Sequence, residues 1–280
     1  TAALYYKKSL QTWKKEADDG DSKAALWAAL VYERKLVPDS SPEKSVPYLL
    51  QAAESGNLTA QGLLAFKYRD GLGVPQDAAK AVEWFEKAAS RKDLGAVMDL
   101  GIMFRDGKYL PPDREKAFHW FEKGAEWKDP YSMAALADML LEGTPSAEQA
   151  ARALALYREA AAAGYFPAAL KAAELLQNGK GGELDADEAY RLLRRVADAT
   201  GDPKAMYMLA QVYYTRGDEA QGDSLMKASA QAAYLPAMNR MARLHLLPDS
   251  SLPWNPVLSY YYWNQAGEMG DEKAASAAFW

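Results

Sequence analysis

Several groups of residues in this chain have types and spacings that chemistry uses, and each also has a plainer structural reading. Gly71-Leu72-Gly73 is a Gly-x-Gly, which cradles phosphate when it follows a strand and opens a helix. Here it follows a helical pattern, so it reads as a turn, because glycine reaches the left-handed conformation that ends a helix. Asp185-Ala186-Asp187-Glu188 gathers carboxylates as a cation loop does. It lacks the glycine and closing glutamate of the calcium pattern and sits where a helix N-cap belongs, so capping is its expected role. The two histidines, His119 and His245, lie far apart, and a zinc site needs further spaced ligands; both read as packing or surface residues. The chain has no cysteine, which removes disulfides, thiolate metal sites and thiol nucleophiles. No nucleophile elbow, zincin or P-loop motif occurs. The expectation is a protein that is not an enzyme, with no catalytic residue, metal or cofactor; a scattered active site is the alternative.

The eight tryptophans raise a carbohydrate site or aromatic cage. Trp84 and Trp120 fall on equivalent positions of a repeated helix, so core packing is expected for them. Trp254, in a Pro-rich insertion, and Trp280, at the end of the chain, have no such place. Trp254 is the better exposed contact, since tryptophan is enriched in binding hot spots.

The elements that position these residues come from a repeat. Residues 57–92 laid over 93–128 align Ala60 with Ala96, Gly71 with Gly107, Asp77 with Asp113, and Trp84-Phe85-Glu86-Lys87 with Trp120-Phe121-Glu122-Lys123. Identity this dense at a period of 36 marks duplication. The register extends through a small residue opening each first helix: Ala24, Ala60, Ala96, Ser132, Ala168, Ala205, Ala237 and Ala274. Repeats fall near 21–56, 57–92, 93–128, 129–164, 165–201, 202–233 and 234–270, with partial repeats at 1–20 and 271–280. The step after Ala205 is short, its loop trimmed around 215–222, and the step after Ala237 carries the insertion at 247–256. Composition does not shift along the chain, so a single domain over 1–280 is expected.

Each repeat reads as two helices. In the second, helix A spans about 58–68, with Ala60, Leu64, Ala65 and Tyr68 on one side. Asp77 caps helix B, about 78–90, whose Ala81, Trp84, Phe85, Ala88 and Ala89 are apolar. One helix pair cannot bury both its faces, so neighbours must stack. The expected fold is an all-α, right-handed α-solenoid of about seven 36-residue helix-turn-helix repeats plus half repeats at both ends.

Hydrophobic residues make up 49% of the 280, enough for a core, and the formal net charge is −5. A basic stripe for nucleic acid is missing, which leaves room for a basic protein partner. No apolar run approaches the roughly 20 residues of a membrane-spanning helix. The chain opens on Thr1 rather than Met, so the expectation is a processed or trimmed product, from which any export signal or lipid anchor would have been lost.

Ala60, Leu64-Ala65, Tyr68, Gly71, Gly73-Val74, Asp77, Lys80-Ala81, Trp84 and Lys87-Ala88-Ala89 together resemble the Sel-like repeat family, a subset of the tetratricopeptide-like α-solenoids. The resemblance covers essentially the whole chain. The first repeat departs from it, with Val37-Pro38-Asp39-Ser40-Ser41-Pro42 in place of the Gly-rich turn, as does the insertion in the seventh. In this family the face of helix A opposite its packing residues lines a concave groove. Counted from the small residue, offsets +2, +6 and +9 lie at about 200°, 240° and 180°, on that face. Among them are Phe66, Arg69, Met98, Ile102 and Arg105, and further along Tyr207, Gln211, Tyr214 and Arg243. A solvated face would be mostly Lys and Glu, whereas Phe, Met, Ile, Tyr and Arg are the residues of interface cores. These nine and Trp254 are the expected partner-binding residues; burial of the face against the next repeat's helix A is the alternative.

The resemblance implies one globular protein partner in the groove, with no nucleic acid. The implied roles are an immunity protein that inhibits a secreted antibacterial effector such as a lipase or phospholipase, a cell-envelope regulator, and a polysaccharide-export scaffold. The expectation is a periplasmic bacterial immunity protein paired with a secreted toxin, as in type VI secretion. A carbohydrate-binding or cell-wall-degrading protein is the rival of a different class.

Overall fold

The computed structural model describes residues 2–182, 184–247 and 252–277. Among them are sixteen α-helices and no strand. The chain divides into two compact units, Thr1–Met139 and Leu140–Trp280. The first holds α1 (Ala2–Asp18), α2 (Ser22–Glu33), α3 (Pro42–Glu54), α4 (Leu58–Asp70), α5 (Ala78–Ala89), α6 (Leu94–Asp106), α7 (Arg114–Glu126) and most of α8 (Pro130–Leu140). The second holds α9 (Ala147–Ala162), α10 (Phe166–Asn178), α11 (Ala186–Thr200), α12 (Pro203–Thr215), α13 (Glu219–Gln231), α14 (Leu235–Leu244), α15 (Pro256–Glu268) and α16 (Glu272–Ala277). From α1 to α7, and again from α9 to α16, every helix packs on the next in the chain. Even-numbered helices are the A helices and odd-numbered ones the B helices, so α1 and α16 are the half repeats. This is the all-α solenoid that the repeat requires, built in each unit by nearest neighbours.

Local chemistry sets where each A helix begins. The residue three before the small position is the N-cap, and its side chain accepts the amide of the small residue itself: Asp21 from Ala24, Asn57 from Ala60, Asp93 from Ala96, Asp202 from Ala205 and Asp271 from Ala274. This satisfies one of the amides a helix start leaves without a partner. Asp129 takes the backbone amide of Ser132, 2.7 Å away, and its hydroxyl. Tyr165 and Tyr234 make no such bond, and there Pro167 and Pro236 supply the helical φ within the first turn instead. The residue just before each cap has positive φ. It is glycine at 20, 56, 164, 201 and 270, but Lys92, Lys128 and Ala233 hold the same conformation at 65°, 62° and 63°. Gly71 and Gly107 end α4 and α6 left-handed, and Asp77, Asp113 and Asp185 cap α5, α7 and α11.

The core follows the repeat. Each small opening residue is buried, as are Leu64, Leu100, Leu136, Leu209 and Met241 four residues on. Trp84 and Trp120 are buried on α5 and α7 beside Phe85 and Phe121. Gly101 has a specific reason to be glycine: a Cβ there would lie 2.3 Å from the Phe121 ring.

Candidate functional site

The small residue and the one at +4 hold each A helix to the core, which turns offsets +2, +6 and +9 away from it. They are neither core nor bare surface. Phe66, Arg69, Met98, Ile102, Tyr207 and Tyr214 are half-buried, while Arg105, Gln211 and Arg243 are exposed.

In the first unit, the polar groups of this face are consumed internally. Glu33, at +9 of α2, lies 2.6 Å from Nζ of Lys67 on α4, whose side chain is 5% exposed. The same ammonium donates to the Leu72 carbonyl, 3.2 Å away, and the Ser45 hydroxyl donates to Glu33. Arg69, at +9 of α4, grips Asp70 with two bonds of 2.9 and 2.8 Å and reaches Asp99 on α6 at 3.0 Å. Its guanidinium lies 4.7 Å from the Phe66 ring and 5.5 Å from that of Tyr109, whose hydroxyl donates to Asp70 at 2.9 Å. The Arg69 bond holds the Asp70 carboxyl below its ordinary range, whereas burial pushes Asp99 up against the pull of Arg69. Phe66 also packs edge-on against the core ring of Phe85. Arg105 bonds Asp106 at 2.6 Å and lies 5.7 Å from the Phe121 ring.

In the second unit the corresponding helices leave a cleft open. Tyr207, Gln211 and Tyr214 line one wall from α12, and Pro236, Asn239, Arg240 and Arg243 line the other from α14, with Met226 of α13 also in the lining. The cavity holds about 470 Å³. Spacings of three and four residues along both helices turn these side chains to one face. Tyr214 donates to Asp223 at 2.8 Å, and burial with that carboxylate raises its phenol pKa. Asn239 donates to Asp271 at 2.6 Å, and Tyr207 packs on Tyr234. Among the described residues, the side chains of Gln211, Arg240 and Arg243 make no hydrogen bond or ion pair.

Four residues expected from the sequence, Tyr207, Gln211, Tyr214 and Arg243, thus meet in one cleft. Phe66, Arg69, Met98, Ile102 and Arg105 belong to the first unit's internally paired face. Arg240 was missed. It stands at offset +3, where the third repeat carries Asp99, so comparison of equivalent positions was the signal that could have found it.

The remaining residues settle individually. His245 is buried, stacks on Tyr262 and lies 3.1 Å from the Pro253 carbonyl, while His119 is exposed beside Trp120. Asp185 accepts the amides of Asp187 and Glu188 as a cap. Trp254 is 65% exposed, in company with Val257, Tyr260 and Tyr261 at the start of α15. Trp280 and residues 248–251 of the insertion lie outside the described residues. Among the described residues no group of three or more His, Asp or Glu gathers to hold a metal ion, and no helix is long and apolar enough to cross a membrane.

Known proteins place this architecture. A Sel1 repeat protein from Oxalobacter formigenes superposes with a TM-score of 0.80 at 24% identity, over 98% of this chain and 81% of that one. The protective antigen c5321 of uropathogenic Escherichia coli, with an SLR fold, superposes at 0.52 and 21% identity, over 96% and 66%. At these identities the likeness concerns the fold. The immunity protein Pa5087 from Pseudomonas aeruginosa aligns over 93% of this chain and 81% of that one at 19% identity, but its TM-score of 0.35 is too low to carry an argument. No curated protein matches the sequence. The Sel1 repeat pattern matches residues 32–57, 59–93, 95–126, 130–165, 167–200, 203–226 and 235–271. With most of its length in seven such repeats, the chain belongs to the Sel1 repeat family.

Proposed function

We propose that this Sel1 repeat scaffold grips one globular protein through the α12–α14 cleft, and that it acts as a periplasmic immunity protein blocking a secreted antibacterial effector such as a lipase or phospholipase. The observation that carries the binding reading is the cleft itself. A folded chain gains nothing from two guanidiniums and an amide left unpaired between tyrosines, whereas tyrosine and arginine are the residues that dominate binding hot spots. Exposed Trp254, Val257, Tyr260 and Tyr261 add apolar surface of the kind that marks partner contacts. Phe66, Arg69, Met98, Ile102 and Arg105 form a secondary contact face, since their polar groups are already engaged. The narrower role rests on the acidic, cysteine-free composition and the length of the solenoid.

The test is capture from the periplasmic fraction of the native organism, followed by co-expression of any captured enzyme with this chain. The expected partner is a secreted hydrolase that kills cells when expressed alone and is silenced by this chain. Tyr207→Ala should weaken that protection about tenfold or more, since hot-spot truncations cost about 2 kcal/mol. Capture of an envelope-assembly protein or sensor kinase would keep the scaffold and discard the immunity role. Capture of glycan alone would discard both.

A further inference from the structure

We infer that the α12–α14 cleft receives an acidic side chain, Asp or Glu, carried on an extended segment of the protein partner; this rests on the scaffold reading above and names the chemistry it recognises. Arg240 and Arg243 stand three residues apart on one face of α14, both exposed and without a carboxylate among the described residues. Like charges at that spacing repel, so an incoming carboxylate relieves a cost the free protein bears. Carboxylates also stand nearby, Asp223 accepting from Tyr214, Asp271 accepting from Asn239 and capping α16, and Glu219 acting on Tyr214 through its charge, but none is in the cavity's lining. What remains to meet a ligand is donors. Two guanidiniums and the Gln211 amide are free, and arginine forks bind carboxylate in two-bond geometry. A basic segment would meet these cations unscreened.

The size of the cleft argues for a peptide over a free ion. About 470 Å³ far exceeds a carboxylate, and the tyrosine walls and Met226 offer apolar contact to the methylenes and backbone that flank it. The whole chain carries a net charge of −5, which alone favours a basic partner. Attraction of an acidic segment is therefore local to this cleft, whose lining carries two arginines and no carboxylate.

Fluorescence anisotropy with labelled hexaglutamate and hexaglutamine tests the assignment, because the two peptides differ in charge and hardly in shape. Hexaglutamate should bind about tenfold tighter than hexaglutamine, the effect of one good charge-assisted contact. Arg240→Gln with Arg243→Gln should abolish the preference, and Arg105→Gln should keep it. Both cleft arginines are exposed, so the double variant should melt with the wild type; Arg243→Gln alone, losing most of the preference, is the fallback. Equal binding of the two peptides, no binding of hexaglutamate, or a preference that survives the double variant would each overturn the proposal. So would inorganic phosphate binding as tightly as hexaglutamate, which would give the cleft to a free anion. The assay uses no native partner, so its failure leaves protein capture standing, and failed capture leaves the peptide preference standing.

Discussion

Arg69 and Tyr214 occupy the same place in their repeats, the ninth position after the small residue, and each faces the third position of the next A helix. In the first unit that residue is Asp99, and Arg69 closes on it at 3.0 Å. In the second it is Arg240, and the gap stays open as a cleft of about 470 Å³. One pair of positions, the ninth and the third of the next A helix, is closed by an ion pair in the first unit and left open in the second. A repeat earlier Glu33, also at the ninth position, is likewise engaged internally, though by Lys67 at the seventh position of α4. A solenoid permits this division because each repeat answers only to its neighbours, so a face can be tightened in one region without altering another.

The comparison can be broken most forcefully at Lys67. Lys67→Ala leaves the Glu33 carboxylate beside a buried gap and should cost about 3 kcal/mol, the lower end of the range for breaking a buried pair, because Glu33 keeps some exposure. Urea denaturation measures it, and a loss near zero would remove the claim that the first unit spends this face on folding. A double-mutant cycle sharpens the contrast. The Arg69–Asp99 coupling should be about 1 kcal/mol and the Tyr214–Arg240 coupling near zero. Placing the first unit's carboxylate in the second, with Arg240→Asp, should change stability by no more than about 0.5 kcal/mol while removing the hexaglutamate preference.

The smallest effect is in pH. Asp70 titrates below its ordinary range through its bond to Arg69, so its contribution is complete above the unfolded carboxylate pKa and disappears as pH falls through the lower folded value. Asp70→Asn should therefore cost about 0.5 kcal/mol at pH 7, as for an exposed ion pair, and nothing once both forms are protonated. Asp99 runs the opposite way. Burial raises its pKa, so its contribution is greatest below the unfolded value and fades as pH climbs through the folded one.

Much of this fold was legible from local rules. The small residues at the 36-residue period, the caps three residues ahead of them and the glycines that end α4 and α6 are short-range chemistry written into adjacent residues. Trp84 and Trp120 were readable as core because their positions recur, and Trp254 as exposed because its position does not. The cleft was legible by half. Tyr207, Gln211, Tyr214 and Arg243 follow from helical angle once the family resemblance names that face of helix A as the groove. Arg240 does not, because whether offset +3 looks into the gap depends on how far one A helix is staggered against the next. The same stagger decides that Arg69 meets Asp99, and it puts the ring of Phe66, read as groove lining, against Phe85. Lys92, Lys128 and Ala233 hide their left-handed backbone for a related reason: only alignment with the glycines of the other repeats exposes it.

Matched variants of the two faces, Arg69→Gln and Arg240→Gln/Arg243→Gln, tested side by side for urea stability and for binding to hexaglutamate, put the central claim to its most direct measurement. Arg69→Gln should lose about 1 kcal/mol of stability and keep the peptide, and the double variant should keep its stability and lose the peptide. A double variant that unfolds as early as Arg69→Gln, or an Arg69→Gln protein that loses the peptide, would contradict the division between a face spent on folding and a face kept for binding.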